Sequence, residues 1–245
     1  MHPRITVASL QQMKRDSRKI AGVVVYDHPM ARIVDRAGVD LVSVGDSVGV
    51  NMWGHSSGNE VTLQEMVIVC SAVRRGVSRA LVSCDIPPSA RDVLSAARAL
   101  VNDGGAAMVK VEAEPAAVRA MVDAGINVWA QIDGGSQSAA AAEVTRLVHV
   151  AQLYEDAGAS MIDFRHSGPM AGAAVTEAVA IPVLGGLGGG PWLDGRVRAV
   201  ANAIGYNAAA LDIHADRYAN VARTAFDAIT AYAADVRAGR QIKGK

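Results

Sequence analysis

Short apolar runs recur along this chain, and nearly every one ends in polar or acidic residues at the same point of its cycle. Eight such runs occupy residues 22–25, 41–44, 80–84, 107–109, 128–130, 160–162, 181–184 and 208–211. Runs of this length predict the buried strands of a parallel sheet. Because reactive side chains follow the runs, the pattern predicts an active site at the carboxyl edge of a barrel, and therefore an enzyme.

Segments with helical periodicity separate these runs. Residues 29–37 carry apolar side chains at i, i+3, i+4 and i+7, and residues 62–75 open on Thr62 and Glu65 with the spacing of a capping box. Further helices are predicted over 88–101, 115–122, 139–157, 169–179, 193–204 and 217–238. The alternation of strand and helix predicts an α/β fold, a (β/α)8 TIM barrel, with residues 5–18 as an extra N-terminal helix on the barrel floor.

The chain is expected to form a single domain over residues 1–245, since no linker or low-complexity segment interrupts it. A doubly wound open sheet is the competing architecture. It normally needs fewer strands and one dominant nucleotide-binding loop, whereas eight units in about 220 residues fit a closed barrel better.

Composition narrows the classes of partner. Lys and Arg number 24, as do Asp and Glu, so nothing suggests a nucleic-acid partner. No apolar run approaches the roughly 20 residues that span a bilayer, and residues 1–4 lack an apolar signal segment. Cys70 and Cys84 lack metal-site spacing and fit two reduced core thiols. We therefore expect a cytoplasmic protein without a membrane partner.

Three of the predicted strands end in a carboxylate in register. Asp46 follows the second run, Asp85 the third and Glu112 the fourth. Since neighbouring strands lie about 4.8 Å apart, these groups should converge, and their mutual repulsion calls for a cation. Oxygen ligands favour Mg²⁺ or another hard divalent ion. The pattern predicts a metal site, although any one of these acids could instead cap the following helix.

Three basic residues follow the same edge. Lys110 shares a strand face with Glu112, where it could neutralise substrate charge or form a structural ion pair. Arg165 offers a fork for a carboxylate or phosphate if it points inward. His166 could act as a base or be a packed surface histidine. We treat Lys110, Arg165 and His166 as candidate catalytic residues, and Lys110 and Arg165 also as substrate-binding residues.

Two less specific features lie near this edge. The glycine tract of residues 185–190 could bind an anion through its backbone N–H groups, but it lacks the lysine of a phosphate-binding loop. Trp53 and Trp192 could line a pocket or serve only as packing residues.

Several motifs closely resemble the ketopantoate hydroxymethyltransferase family. They are Tyr26-Asp27, 44–49, 54–57, 61–63, 72–76, 84–87 and 108–112, and the resemblance runs from about Ile5 to Gly239. It implies a barrel of the phosphoenolpyruvate mutase/isocitrate lyase superfamily that is cytoplasmic and homo-oligomeric. It also implies the use of Mg²⁺ and 5,10-methylenetetrahydrofolate to add a hydroxymethyl group to a branched 2-oxo acid.

The resemblance also implies roles for particular residues. Asp46 and Asp85 would hold the metal with Glu112 beside them, and Ser47 and Lys110 would bind the 2-oxo acid. Tyr26, in the first of the matching motifs, is a further candidate for substrate binding.

Two positions depart from the family pattern. Gln131 stands where the family has a histidine, and we expect it to contact substrate from there. Arg165 stands where the family has its proton-abstracting glutamate. The loop after the fifth strand is also shortened, between Ser138 and Ala139.

These observations predict Mg²⁺-dependent carbon–carbon bond chemistry on a small 2-oxo acid through a metal-bound enolate, of hydroxymethyltransferase or aldolase type. Because arginine cannot serve as the base, His166, Asp133 or Asp163 would have to replace the glutamate. Alternatively, Arg165 binds an additional anionic group and the enzyme is a carbon–carbon lyase or mutase. A catalytically inactive scaffold is the third possibility, and the use of folate is left open.

Overall fold

The computed structural model describes residues 3–134 and 140–244, and within them parallel strands close into a barrel in the order β1 to β8. The strands are β1 (Ile20–Val24), β2 (Leu41–Val44), β3 (Leu81–Asp85), β4 (Met108–Val111), β5 (Val128–Asp133), β6 (Met161–Arg165), β7 (Val183–Gly185) and β8 (Gly195–Ala199). The predicted (β/α)8 barrel is confirmed. The predicted shortening of the loop at Ser138 and Ala139 lies outside the described residues.

Most of the helices lie close to the predicted segments, but only Val200–Ala203 of the stretch predicted over 193–204 is helical. They are α1 (Val7–Arg15), α2 (His28–Ala37), α3 (Leu63–Gly76), α4 (Val93–Asn102), α5 (Pro115–Asp123), α6 (Ala141–Asp156), α7 (Pro169–Ala178), α8 (Val200–Ala203) and α9 (Val221–Arg237). Thr62 and Glu65 form the predicted capping box of α3. Helix α4 begins later than predicted, because Asp92 accepts hydrogen bonds from the backbone N–H groups of Leu94 and Ser95 and so forms the N-cap.

The N-terminal helix closes the amino-terminal end of the barrel, as predicted. Leu10 and Met13 of α1 are buried against the first residues of the strands, in a core that includes Ile20, Leu41, Leu81, Met108, Trp129, Met161, Leu184 and Val197. Each large apolar side chain buried in this way contributes about 1.5–3 kcal/mol. Apolar side chains therefore fill the barrel at its amino-terminal end, and reactive side chains have room at the carboxyl-terminal end.

The eighth strand is not the predicted one. Residues 208–211 form a short 3-10 helix, and β8 lies at Gly195–Ala199, inside the stretch predicted as helix 193–204. In β8, Gly195 and Val197 are buried while Arg196 and Arg198 are exposed, a period-two pattern that belongs to a strand. A Cβ at position 195 would overlap the carbonyl oxygen of Ile20, so glycine is required where β8 meets β1.

The chain forms two compact units, Met1–Arg198 and Ala199–Lys245. A single domain over residues 1–245 stays a prediction. Within the second unit, α9 exposes Phe226, Ile229, Tyr232 and Val236, which recur at helical spacing. Among the described residues, no helix is long and apolar enough to cross a membrane. Cys70 and Cys84 are buried and free, as predicted.

Candidate active site at the carboxyl end of the barrel

A largely buried lysine between two carboxylates forms the inner part of the candidate site. Lys110 on β4 is the register neighbour of Asp85 on β3, and its Nζ lies 2.9 Å from Asp85 Oδ2. The same nitrogen lies 3.5 Å from Asp163 Oδ2 on β6. Trp129 lies beneath this group, with its ring centre 5.5 Å from the ammonium. Lys110 therefore points into the barrel, and in this structure it is held as an ion pair.

Asp163 is a member of this cluster that sequence reasoning considered only as a substitute base. Its side chain is 3% exposed, and its Oδ1 accepts a hydrogen bond of 2.9 Å from the backbone N–H of Gly186. The first residues of the glycine tract therefore donate to an internal carboxylate, whereas the sequence also allowed the tract to bind an external anion. The signal in the sequence is the spacing of Asp163 and Arg165, which places both on the inward face of β6.

Charge and burial oppose one another in this cluster. Burial raises the pKa of Asp85 to about 6, and the nearby charges of Asp46 and Asp163 act in the same direction against the lowering effect of Lys110. Burial alone would lower the pKa of Lys110, but the carboxylates of Asp85 and Asp163 outweigh it and hold that pKa above its usual range. The site thus carries excess negative charge around one ammonium.

Asp85 has capacity to bind a further group. Its Oδ1 is buried and has no hydrogen-bond partner among the described residues. Asp46, at the end of β2, is near enough for its charge to raise the pKa of Asp85. Small residues make room around these acids, since a Cβ at Gly58 would lie 3.1 Å from Asp46 Oδ2. An unpartnered carboxylate oxygen beside a second carboxylate matches the oxygen donors that a hard divalent cation prefers.

Glu112, the third predicted metal ligand, does not form a cluster with Asp46 and Asp85. Glu112 is exposed, and its Oε2 accepts a hydrogen bond of 2.9 Å from Gln131 Nε2. Within the part of the chain that the structure describes, no three His, Cys, Asp or Glu side chains are grouped closely enough to hold a metal ion. The expected cluster of Asp46, Asp85 and Glu112 is therefore not assembled here, because Asp85 is engaged by Lys110 and Glu112 by Gln131.

A polar network borders the site on the side of β1 and β2. Tyr26 Oη and Ser47 Oγ are 2.9 Å apart, and Asn51 Nδ2 donates to Tyr26 Oη at 3.0 Å and to the Ser47 carbonyl at 2.9 Å. Asn51 lies on a π-helical turn, Gly49–Trp53, a feature often found at functional sites. Burial raises the pKa of Tyr26, and the charges of Asp85 and Asp46 add to this, so the network adjoins the acids.

A histidine and an aspartate pair at the outer edge. His166 Nδ1 lies 3.2 Å from Asp133 Oδ1, and both side chains are about half exposed. Asp133 lies on the same side of β5 as Gln131 and Trp129, the side that faces the barrel interior. His166 adopts a φ of 54°, a conformation that costs a non-glycine residue energy, and Gly188 packs against its backbone. The histidine thus lies at the carboxyl edge of the barrel, with its ring against Asp133.

Arg165 is the register neighbour of Asp133 at this edge and shares the inward face of β6 with Asp163. It is partly buried, and no side chain among the described residues forms a hydrogen bond or ion pair with its guanidinium. Its fork is consequently available to an anion from outside the chain.

The two tryptophans considered for the pocket differ. Trp192 packs closely on Gly172 of α7 and on Gly190, so it has the packing role. Trp53 is 41% exposed and makes an edge contact with the ring of His55, at a centroid distance of 5.6 Å.

Comparison with known proteins identifies relatives over nearly the whole chain. A family model described as ketopantoate hydroxymethyltransferase matches residues 4–241. The 3-methyl-2-oxobutanoate hydroxymethyltransferase of Chloroflexus aurantiacus is 35% identical over 254 residues, covering 96% of this chain and 90% of that protein.

Solved structures share the fold at lower identity. The 2,3-dimethylmalate lyase, described as a PEP mutase/isocitrate lyase superfamily member, aligns with a TM-score of 0.64 at 18% identity, over 85% of this chain and 86% of that one. Phosphonopyruvate hydrolase, solved with oxalate and Mg²⁺, aligns with a TM-score of 0.64 at 15% identity, over 96% of this chain and 89% of that one.

Proposed function

Because the chain belongs to the ketopantoate hydroxymethyltransferase family and is an enzyme of the transferase or lyase type, we propose that it catalyses carbon–carbon bond chemistry on a 2-oxo acid. The observation that carries this proposal is the buried, unpartnered Oδ1 of Asp85 beside Asp46, at the carboxyl end of a barrel. In such barrels the reactive groups collect at that end.

Asp46 and Asp85 would hold a divalent cation, with Mg²⁺ the first choice, since their oxygens fit a hard ion. Phosphonopyruvate hydrolase, which shares this fold, was solved with Mg²⁺ and oxalate. When bound, the cation would polarise the keto group of the substrate and stabilise negative charge on its oxygen. Glu112 would contribute to the cation site only if it gave up its hydrogen bond with Gln131 and bound the ion, either directly or through one of the ion's waters.

Lys110, Ser47 and Tyr26 would bind the 2-oxo acid. The ammonium of Lys110 supplies the charge that a carboxylate needs. Asn51 donates to the Tyr26 hydroxyl, which in turn pairs with the Ser47 hydroxyl, so both hydroxyls are already oriented. Gln131, on the inward face of β5, would contribute an amide from the opposite side. Binding of the 2-oxo acid by these groups would orient the carbon next to its keto group toward the outer edge of the site, before any proton is transferred.

His166 would be the base that replaces the family glutamate. Asp133 accepts from Nδ1–H, which leaves Nε2 to take a proton from the carbon next to the keto group. The C–H electron pair then stays on the substrate as an enolate, ready to form a new carbon–carbon bond. An arginine at position 165 cannot do this, because it stays protonated.

A second candidate is a carbon–carbon lyase or mutase acting on a 2-oxo acid with an additional anionic group. The observation that favours it is the inward guanidinium of Arg165, which has no partner among the described residues. Cleavage of the bond between C3, the carbon next to the keto group, and C4 leaves the electron pair on the substrate as an enolate. The other fragment departs as CO₂ or, after loss of a hydroxyl proton, as a carbonyl compound, so no C–H proton has to be removed. The loss of the glutamate would then be tolerated.

Solvent exchange separates the two candidates. The enzyme is incubated with Mg²⁺ and 3-methyl-2-oxobutanoate in D₂O, and deuterium at C3 is followed by NMR. Under the first candidate the wild type exchanges, His166→Gln loses about 100-fold or more of the rate, and the control His149→Gln, an exposed histidine on α6, is unchanged.

Calorimetry completes the test. Binding of the 2-oxo acid without exchange, together with an Arg165→Met variant that loses affinity only for a 2-oxo dicarboxylate, would support the second candidate. No binding of Mg²⁺ or of any 2-oxo acid by the wild type would refute both.

We further propose that the protein is a homo-oligomer. The row of exposed apolar side chains on α9, which includes Phe226 and Ile229, supports this, because such a row is costly to leave in water. The use of 5,10-methylenetetrahydrofolate and a cytoplasmic location stay predictions from the sequence.

A further inference from the structure

Two buried carboxylates compete for one ammonium at the centre of the candidate site. Lys110 lies between Asp85 of β3, at 2.9 Å, and Asp163 of β6, at 3.5 Å. Under the proposed function the carboxylate of Asp85 binds the cation, whereas the positively charged ammonium of Lys110 cannot bind it. A cation at Asp85 therefore has to share that carboxylate with an ammonium of like charge, and this repulsion weakens its binding.

We propose that Asp163 is a positioning residue. It holds the Lys110 ammonium, so that the carboxylate of Asp85 is free to bind a divalent cation. This inference rests on the proposed function. As a cation approaches Asp85, Lys110 shifts its ion pair toward Asp163 and stays charged inside the barrel. It then remains available to the carboxylate of the 2-oxo acid.

The surroundings of Asp163 suit this role. Its side chain is 3% exposed, so its charge is little screened by water. Its Oδ1 is held by the Gly186 N–H, which leaves Oδ2 directed at Lys110. A Cβ at position 186 would lie 3.0 Å from Oδ1, so a glycine lets the backbone approach this oxygen. The carboxylate is therefore fixed by the backbone even when Lys110 moves.

The charges in the cluster also agree with this role. With Asp46, Asp85 and Asp163 ionised and Lys110 protonated, the cluster carries a net charge of −2, which one divalent cation neutralises. Without Asp163 the same ion would leave a positive excess in a buried site, which is unfavourable.

There are two alternatives. Asp163 could affect cation binding only by direct attraction between its charge and the ion, or it could only neutralise Lys110 and have no effect on cation binding. A double-mutant cycle distinguishes these roles, since coupling appears only if the two residues act through each other. Mg²⁺ alone is titrated by calorimetry into the wild type, Asp163→Asn, Lys110→Gln and the double variant. Lys110→Gln removes the competing ammonium but keeps hydrogen-bonding capacity.

We expect Asp163→Asn to weaken Mg²⁺ binding about tenfold in the wild-type background but less than about threefold in the Lys110→Gln background, a coupling of typical size for contacting residues. Thermal unfolding of each variant checks that it folds, and Asp163→Ser serves as a second substitution if the asparagine variant does not. Equal losses in both backgrounds would overturn the inference while leaving the metal site intact. Absence of Mg²⁺ binding by the wild type would instead overturn the metal site, and the inference with it.

Discussion

The carboxylate of Asp35, near the end of α2, is the most heavily hydrogen-bonded acid outside the candidate site among the described residues. It accepts from the backbone N–H of Ser78 at 2.9 Å, of Arg79 at 3.1 Å and of Ala80 at 2.8 Å, and from the Ser78 hydroxyl at 2.7 Å. These donors lie just before β3, whose last residue is Asp85. Asp35 thus fixes the strand that presents a proposed metal ligand.

Removal of this acceptor should be costly. Asp35→Ala leaves three backbone N–H groups without their partner, and each such group costs about 1–3 kcal/mol when water cannot reach it. Asp35 is 8% exposed and Ala80 1%, so only part of the loss can be made up by water. We expect a loss of about 3 kcal/mol for Asp35→Ala and about 2 kcal/mol for Asp35→Asn, which keeps one acceptor oxygen.

The effect should depend on pH. Burial acts to raise the pKa of Asp35, but the hydrogen bonds from Ala80, Ser78 and Arg79 outweigh it and hold the pKa below the ordinary 3.8. A lowered pKa in the folded state contributes stability above the unfolded pKa and loses it as the pH falls through the folded value. The difference between wild type and Asp35→Asn should therefore be full at pH 7 and shrink below about pH 4.

Urea unfolding followed by tryptophan fluorescence, at pH 7 and at steps down to the acid limit of the fold, measures this difference. Asp123→Asn, at an exposed aspartate near the end of α5, is the control and should stay within about 0.5 kcal/mol of wild type. A loss below 0.5 kcal/mol for Asp35→Asn at pH 7, or a difference that grows toward acid pH, would contradict the reasoning.

Three further predictions follow from single contacts. Gly195→Ala should lower the melting temperature by several degrees, because its Cβ overlaps the Ile20 carbonyl where the barrel closes; an unchanged melting curve would show that β8 does not need glycine. Tyr26→Phe should weaken binding of a 2-oxo acid in the presence of Mg²⁺ about tenfold, as measured by calorimetry, and equal affinity would exclude the hydroxyl from substrate binding. Phe226→Asp on α9 should reduce the sedimentation coefficient at micromolar concentration, whereas an assembly of unchanged size would place the interface elsewhere.

Residues 181–211 show where prediction from the sequence failed. The alanine-rich run 208–211 resembles a buried strand in its apolar content, but it forms a 3-10 helix. The true β8 is short, and the alternation of its buried Gly195 and Val197 with the exposed Arg196 and Arg198 is overlooked when the whole stretch 193–204 is predicted as a helix. The decisive fact is the close approach of Gly195 to Ile20, which joins residues at opposite ends of the barrel sequence. A local pattern cannot report such a contact.

The sequence by itself determined the fold and the edge at which chemistry occurs. Strand and helix periodicities are local, and the carboxyl ends of parallel strands share one edge of a barrel, so Asp46, Asp85 and Lys110 could be assigned to it in advance. The tertiary structure alone decided which side chains meet there. Asp163 on β6 forms an ion pair with Lys110, and Glu112 accepts a hydrogen bond from Gln131. Such partners across a barrel depend on strand register and burial, which the local sequence pattern does not report.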